Sequence, residues 1–358
     1  MRILRKRRSP STVGDETPVP AARGWGRFGP VLVLLLFAPI SAEYLIGYDV
    51  LAGDPLAMLF GLMVFAPLYG APALLIRELV RRTGGGWPSI LLLGAAFGLV
   101  QAGLIDQGLF NPAYRDIFYW DALRQPTFLA PLGTSGFMLF HFTALHAFGS
   151  VYAPVAVAEA LAGRNRDRPW LRPLGLTATT VVWLLAGWYV LADHLRLEGW
   201  QPSAWQVAGT VAAVGALVWA ALRTARPSPV SGRTPAPSPF VVLVVSLGLL
   251  AARPLLAALS PAGPGWNSWG PTLFAVAAVV LWSYLMLRWS RAPGWSGTHV
   301  LASAAGYLFA VGGAAFLVTP LGDVDPAAKA AGNIALLVLV AVLVAAGWMV
   351  QNRREVPE

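Results

Sequence analysis

The chain has 358 residues, 56% of them hydrophobic and only 12% charged, and it contains no cysteine. Soluble domains average about 25% charged residues, so this composition, with a mean hydropathy of +0.61, excludes an ordinary soluble domain. The missing cysteine excludes disulfides, thiol catalysis and thiolate metal sites. A net charge of +9 would suggest nucleic acid in a soluble protein. Here the basic residues flank apolar runs and form no patch with interleaved aromatics, so the expected partner is a lipid bilayer and not a nucleic acid.

Ten apolar segments follow in chain order: Pro30–Val50, Pro55–Leu79, Pro88–Phe110, Thr134–Ala162, Pro173–Asp193, Ala204–Leu222, Phe240–Leu259, Pro271–Arg288, His299–Thr319 and Gly332–Val350. A bilayer core is about 30 Å thick, and roughly 20 apolar residues cross it as a helix. Only helices or closed barrels satisfy the backbone there. The predicted fold is therefore all-α, a polytopic membrane bundle of about ten transmembrane helices. The first segment could also be read as a signal peptide cut after Ala42, but apolar residues continue to Leu51, which favours a retained span.

Lys and Arg collect in every second gap. With the N-terminus inside, the outer gaps hold only Arg115, Arg124, Arg196, Arg253 and Lys329 of the 26 basic residues, which is the positive-inside pattern. Both termini are expected in the cytoplasm. Lysine occurs only at Lys6 and Lys329 while Arg, Ala and Gly abound, a codon-usage signature that points to a GC-rich bacterium and its plasma membrane.

Residues 1–29 read as a basic cytoplasmic tail and 30–222 as a six-helix membrane module. Residues 223–239, rich in Pro, Ser and Arg, read as a cytoplasmic linker. A four-helix apolar module, 240–351, and a short tail, 352–358, follow. Ala302, Gly306 and Ala310 at four-residue spacing suit close helix packing, so the second module reads as scaffold or as a homo-oligomer surface. No internal repeat supports an inverted-repeat transporter.

Ionisable groups inside a membrane are costly and are functional candidates by default. Glu43 and Gln101 lie equally far beyond Pro30 and Pro88, roughly 20 Å above the inner face at about 1.5 Å per residue. His141 lies about 10 Å below the outer start of its span, so the three share one depth. Asp106 is five residues beyond Gln101, about 140° round a regular helix, and is not expected on the same face. His146 is likewise five residues beyond His141, sharing its face with Thr143 and Ser150. Pro39, Pro67, Pro72 and Pro154 interrupt three spans, as happens where a cavity must form. The predicted site is an outward-facing polar pocket lined by Glu43, Gln101, Asp106, His141 and His146. Asn111-Pro112 reads as a helix start, followed by an amphipathic helix on the membrane surface through Ala113, Ile117 and Trp120.

Several patterns resemble intramembrane proteases. Glu78 and Arg82, with Phe137–His141 and Phe142–His146, are similar to motifs of the CAAX-type family, which activates water with a Glu pair and His residues. Arg77 stands where that family has its first Glu, and Glu78 pairs naturally with Arg82 one turn on. Gly133-Thr134-Ser135-Gly136 resembles the rhomboid nucleophile motif, yet Ser135 and His141 share one helix and cannot reach each other as nucleophile and base must. Gly294-Trp295-Ser296-Gly297 repeats the pattern on the other side of the membrane. There is no metalloprotease, P-loop or dinucleotide motif, and no metal or cofactor is expected.

From Ser41 to Leu161 the chain resembles an uncharacterised family of bacterial multi-pass membrane proteins, through Ala73-Leu-Leu-Ile-Arg77-Glu78-Leu, Gly86-Trp87-Pro88, Leu109-Phe110-Asn111-Pro112 and Leu145-His146. The resemblance implies a shared N-terminal membrane module, with acidic residues in relatives where this chain has Gln101-Ala102. Three functions stay open: binding or moving a small polar or lipid-derived ligand, with Glu43 and His141 as its protonatable pair; an intramembrane hydrolase or transferase using His141 or His146 as base; and a structural or assembly role.

Overall fold

The computed structural model describes residues 25–224, 234–259, 265 and 267–353. Most of the predicted basic tail, most of the predicted linker and residues 354–358 lie outside them; residues 25–29 of the predicted tail already belong to the first helix. Ten long helices are described: α1 (25–44), α2 (Pro55–Arg82), α3 (Trp87–Ile105), α4 (Gly136–Asn165), α5 (Pro173–Glu198), α6 (Ala204–Arg223), α7 (Pro239–Leu259), α8 (Trp269–Trp289), α9 (Gly297–Leu317) and α10 (Pro326–Asn352). Eight are long and apolar enough to cross a membrane, and α1 and α7 carry the shorter apolar runs Phe28–Tyr44 and Pro239–Ala251. The ten predicted segments thus become an all-α bundle.

Local chemistry sets the boundaries. Asp54 accepts from the backbone N–H of Leu56 and Ala57 with Pro55 opening α2, and Asp325 does the same for Ala328 ahead of α10. Both are N-caps with proline in the first turn, where its missing N–H costs nothing. Gly199 ends α5 in the left-handed region at φ 59°, as C-terminal glycines do.

The helices most enclosed by others are α4 and α9, whose apolar windows are 83% and 78% buried, whereas α5 and α6 are 6% and 11% buried. Leu184, Leu185, Trp188 and Tyr189 of α5 face outward, the arrangement expected where the surroundings are as apolar as leucine. Phe148 and Tyr152 of α4, Trp282 of α8 and Tyr307 of α9 form one aromatic cluster, with ring centroids 5.0–5.9 Å apart. A Cβ on Gly306 would lie 2.7 Å from Leu247 N and 2.8 Å from Leu243 O. The small-residue stripe on α9 therefore lets its backbone meet that of α7 within the chain.

At the Arg-rich end, α2 and α4 are joined by buried ion pairs. Glu159 accepts from Arg77 Nε at 3.0 Å and from Arg81 Nη2 at 2.6 Å. Glu78 accepts from Arg77 at 2.6 Å, Arg82 at 3.1 Å, and the backbone N–H of Trp170 and Leu171 at 2.7 and 3.1 Å. Arg77 also lies over the Trp170 ring at 3.6 Å and donates to the Arg166 carbonyl. Every charge here has partners, as buried charges require.

The opposite end carries a long connection between α3 and α4. The predicted surface helix is not continuous. Asn111 does cap Ala113, but Arg115 and Asp116 take positive φ, 54° and 50°, breaking the chain before a single turn at Trp120–Arg124. A minimal antiparallel pair, β1 (Phe128–Leu129) and β2 (Thr134–Ser135), then leads into α4.

Candidate functional site

Four helices contain one widened turn each, in which an N–H bonds the carbonyl five residues back. These bonds run from Leu45 to Ile40 in α1, Ala71 to Ala66 in α2, Asp106 to Gln101 in α3 and Ala153 to Phe148 in α4. Such π-turns are rare and recur at functional sites. In α2 and α4 the cause is in the sequence. Pro72 and Pro154 follow directly, and their rings would strike the carbonyls of Leu68 and Ser150 in a regular helix; widening the turn relieves the clash. In α1 the turn follows Pro39. Gln101–Ile105 contains no proline, and there the turn runs straight into the helix end at Asp106.

Each widened turn carries one polar side chain of a buried cluster: Glu43, Tyr69, Gln101 and His146. Tyr48 donates to Glu43 Oε2 at 2.5 Å, and Tyr69 presents its hydroxyl to the same carboxylate. The Glu43 and Asp106 carboxylates act on each other through space. Gln101 Nε2 lies 3.5 Å from Asp106 Oδ2, and Gly108 N donates to Asp106 Oδ1 at 3.0 Å. The His146 ring stacks on Tyr69, centroids 5.8 Å apart and 14° from parallel, and its Nδ1 is hydrogen bonded to Ser150 Oγ at 2.9 Å.

Glycines permit these approaches. A Cβ on Gly70 would sit 2.3 Å from the Leu35 carbonyl oxygen, and one on Gly98 would sit 3.0 Å from His146 Cβ. Without glycine at these places α2 could not meet α1, nor α3 meet α4, so closely.

The loop after Asp106 covers the cluster. Gln107 takes φ 61°. Tyr114 lies near both carboxylates, and burial pushes its phenol well above the ordinary value, so it stays a neutral hydroxyl. The loop is fastened to the end of α5. Glu198 accepts from Asn111 Nδ2 at 2.5 Å and Arg115 N at 3.1 Å, Asp193 accepts from Arg115 Nη2 at 3.2 Å, and Tyr114 stacks on His194 with centroids 5.5 Å apart.

Two readings of the site residues change. Gln101 and Asp106, placed on different faces by regular helical pitch, come together because a turn closed by a five-residue bond brings residues five apart into line. The histidine stacked on Tyr69 is His146, deeper than the His141 that depth alone pairs with Glu43; His141 stacks on Phe137, centroids 5.4 Å apart. Tyr48, Tyr69 and Tyr114 were missed. The signal for Tyr69 was its place between Pro67 and Pro72.

The two Gly–x–Ser–Gly motifs have structural employment. Ser135 Oγ accepts from Met138 N at 3.1 Å and caps α4, while Ser296 caps α9 in a capping box with His299. Gly133 and Gly294 precede them at φ 63° and 84°. Both Gly–x–Ser–Gly copies are thus a left-handed turn followed by a helix cap. Among the described residues no group of three His, Asp or Glu gathers to hold a metal ion.

An uncharacterized membrane protein family matches residues 32–353. The chain belongs to that family. The match takes in all ten helices from α1 onward, so the C-terminal helices are part of the family's pattern together with the N-terminal ones. No curated protein and no solved structure matches the chain.

Proposed function

We propose that this is a plasma-membrane protein of a bacterium, with both termini cytoplasmic, that binds or translocates a small polar or lipid-derived ligand at the Glu43–Asp106 cluster from the outer side. The observation that carries the reading is the coincidence of four widened turns, on four helices, with four polar side chains of one cluster. A bundle needing only stability has no use for this, since each turn gives up regular helix and each buried polar group must be satisfied. The charge pattern supports the orientation, which puts the cluster and its covering loop in the outer half. A hydrolase built on Glu78 or Ser135 draws no comparable support, because both are held in structural roles; one using His146 as base has the Ser150 hydroxyl at 2.9 Å and is the second reading.

The absence of cysteine makes the test direct. A Gln101→Cys variant is treated in whole cells with a small membrane-impermeant thiol reagent. Labelling is expected at Gln101→Cys, slow with the loop fastened and faster when Glu198→Ala frees Asn111 and Arg115. Leu308→Cys, in the core, should stay unlabelled, and Phe118→Cys, 93% exposed on the loop, should label at once. Labelling of Phe118→Cys with none at Gln101→Cys in either background contradicts the proposal.

A further inference from the structure

We infer that the ligand of the Glu43–Asp106 cluster is a monovalent cation, either an alkali ion or a primary ammonium group. This deepens the proposed function and rests on it. The buried Glu43 carboxylate and the half-buried Asp106 carboxylate act on each other, and among the described residues no Lys or Arg lies within ion-pair distance of either. Arg115 acts on Asp106 only at longer range, being paired with Asp193 and Glu198. This contrasts with the Arg-rich end, where each of Glu78 and Glu159 has two guanidinium partners.

The hydrogen-bond inventory points the same way. The hydroxyl protons of Tyr48 and Tyr69 go to Glu43, Gly108 N–H goes to Asp106, and the Gln101 amide nitrogen faces Asp106. Gln101 is 1% exposed, and its Oε1 has no hydrogen-bond partner although its amide group adjoins the Asp106 carboxylate. A buried acceptor left alone is costly, and two neighbouring carboxylates with no basic partner can ionise together only beside a positive charge. An anion would meet two carboxylates, and a neutral hydroxyl would satisfy oxygens while leaving the charge. A small cation answers both deficits: the oxygen ligands can coordinate an alkali ion or accept from the N–H groups of a primary ammonium.

The experiment is thermal unfolding of the detergent-purified full chain at fixed pH and ionic strength, followed by tryptophan fluorescence. N-methylglucamine chloride is replaced stepwise by sodium, potassium or ethanolamine hydrochloride. A ligand that binds only the folded state raises Tm in a saturable way, and the salt that does so distinguishes an alkali ion from an ammonium group. Asp106→Asn and Glu43→Gln should abolish the response. Should either fail to fold, Gln101→Leu, which removes the lone acceptor, should raise the half-saturating concentration about tenfold. No saturable response to any of the three salts, or one unchanged in the variants that fold, overturns the inference. Labelling of Gln101→Cys without a cation response refutes the cation and leaves the binding site standing; absence of labelling refutes the site itself.

Discussion

Glu159 and Glu43 are both buried glutamates on membrane helices, yet their surroundings assign them opposite roles. Glu159 is enclosed by Arg77 and Arg81, and removing it strands two guanidinium groups. Glu159→Ala should cost about 3–5 kcal/mol, seen as lost folded protein in detergent. Glu43 is held by tyrosine hydroxyls, so Glu43→Gln should leave the fold intact and remove only the proposed cation response. Ser135 provides a third contrast. As a cap its loss should cost about 1 kcal/mol, and Ser296→Ala should cost a similar amount; a nucleophile would show no such parallel. At this scale much was legible. Glu43, Gln101, Asp106, His141 and His146 stood out because charge and amide groups are conspicuous in apolar runs, but depth alone paired His141 with Glu43, whereas it is His146 that stacks on Tyr69. Tyr69 did not stand out, because an amphipathic ring reads as one more apolar residue.

The helices themselves were legible from apolar length, capping residues and prolines, and the described elements follow the ten predicted segments closely. What could not be read was pitch. Assigning faces from a regular 100° step fails wherever one turn holds an extra residue, and four spans have such a turn. The surface helix after Pro112 failed for a related reason: capping chemistry starts a helix, but Arg115 and Asp116 adopt backbone angles that no spacing rule foretells. The close approach of α1 and α2 gives a prediction at this level. Gly70→Ala forces a Cβ against the Leu35 carbonyl and should destabilise by about 1–3 kcal/mol, lowering Tm and the yield of folded protein. Gly209→Ala, with open space around it, should be neutral or stabilising by up to about 1 kcal/mol. Equal effects at both positions would mean that the α1–α2 contact does not position Tyr69.

Over the whole molecule, the two ends differ in kind. The Arg-rich end is tied by ion pairs in which each charge is matched, whereas the opposite end has a polar cluster rich in acceptors under a loop fastened by Glu198. Charge asymmetry made the ends distinguishable in the sequence; the fastening was not visible because it joins residues more than eighty positions apart. The orientation makes its own prediction. Phe118→Cys should label from outside intact cells, and Thr83→Cys, exposed at the Arg-rich end, only after permeabilisation. The reverse pattern would place the cluster in the cytoplasmic half.

Everything functional depends on the four widened turns, and a high-resolution map of the purified protein in a lipid disc tests them most directly. The account predicts five-residue bonds from Leu45, Ala71, Asp106 and Ala153, with Glu43, Gln101 and Asp106 converging beside the Tyr69–His146 stack. Regular helices through those positions, turning Glu43 and Gln101 toward different neighbours, would contradict it.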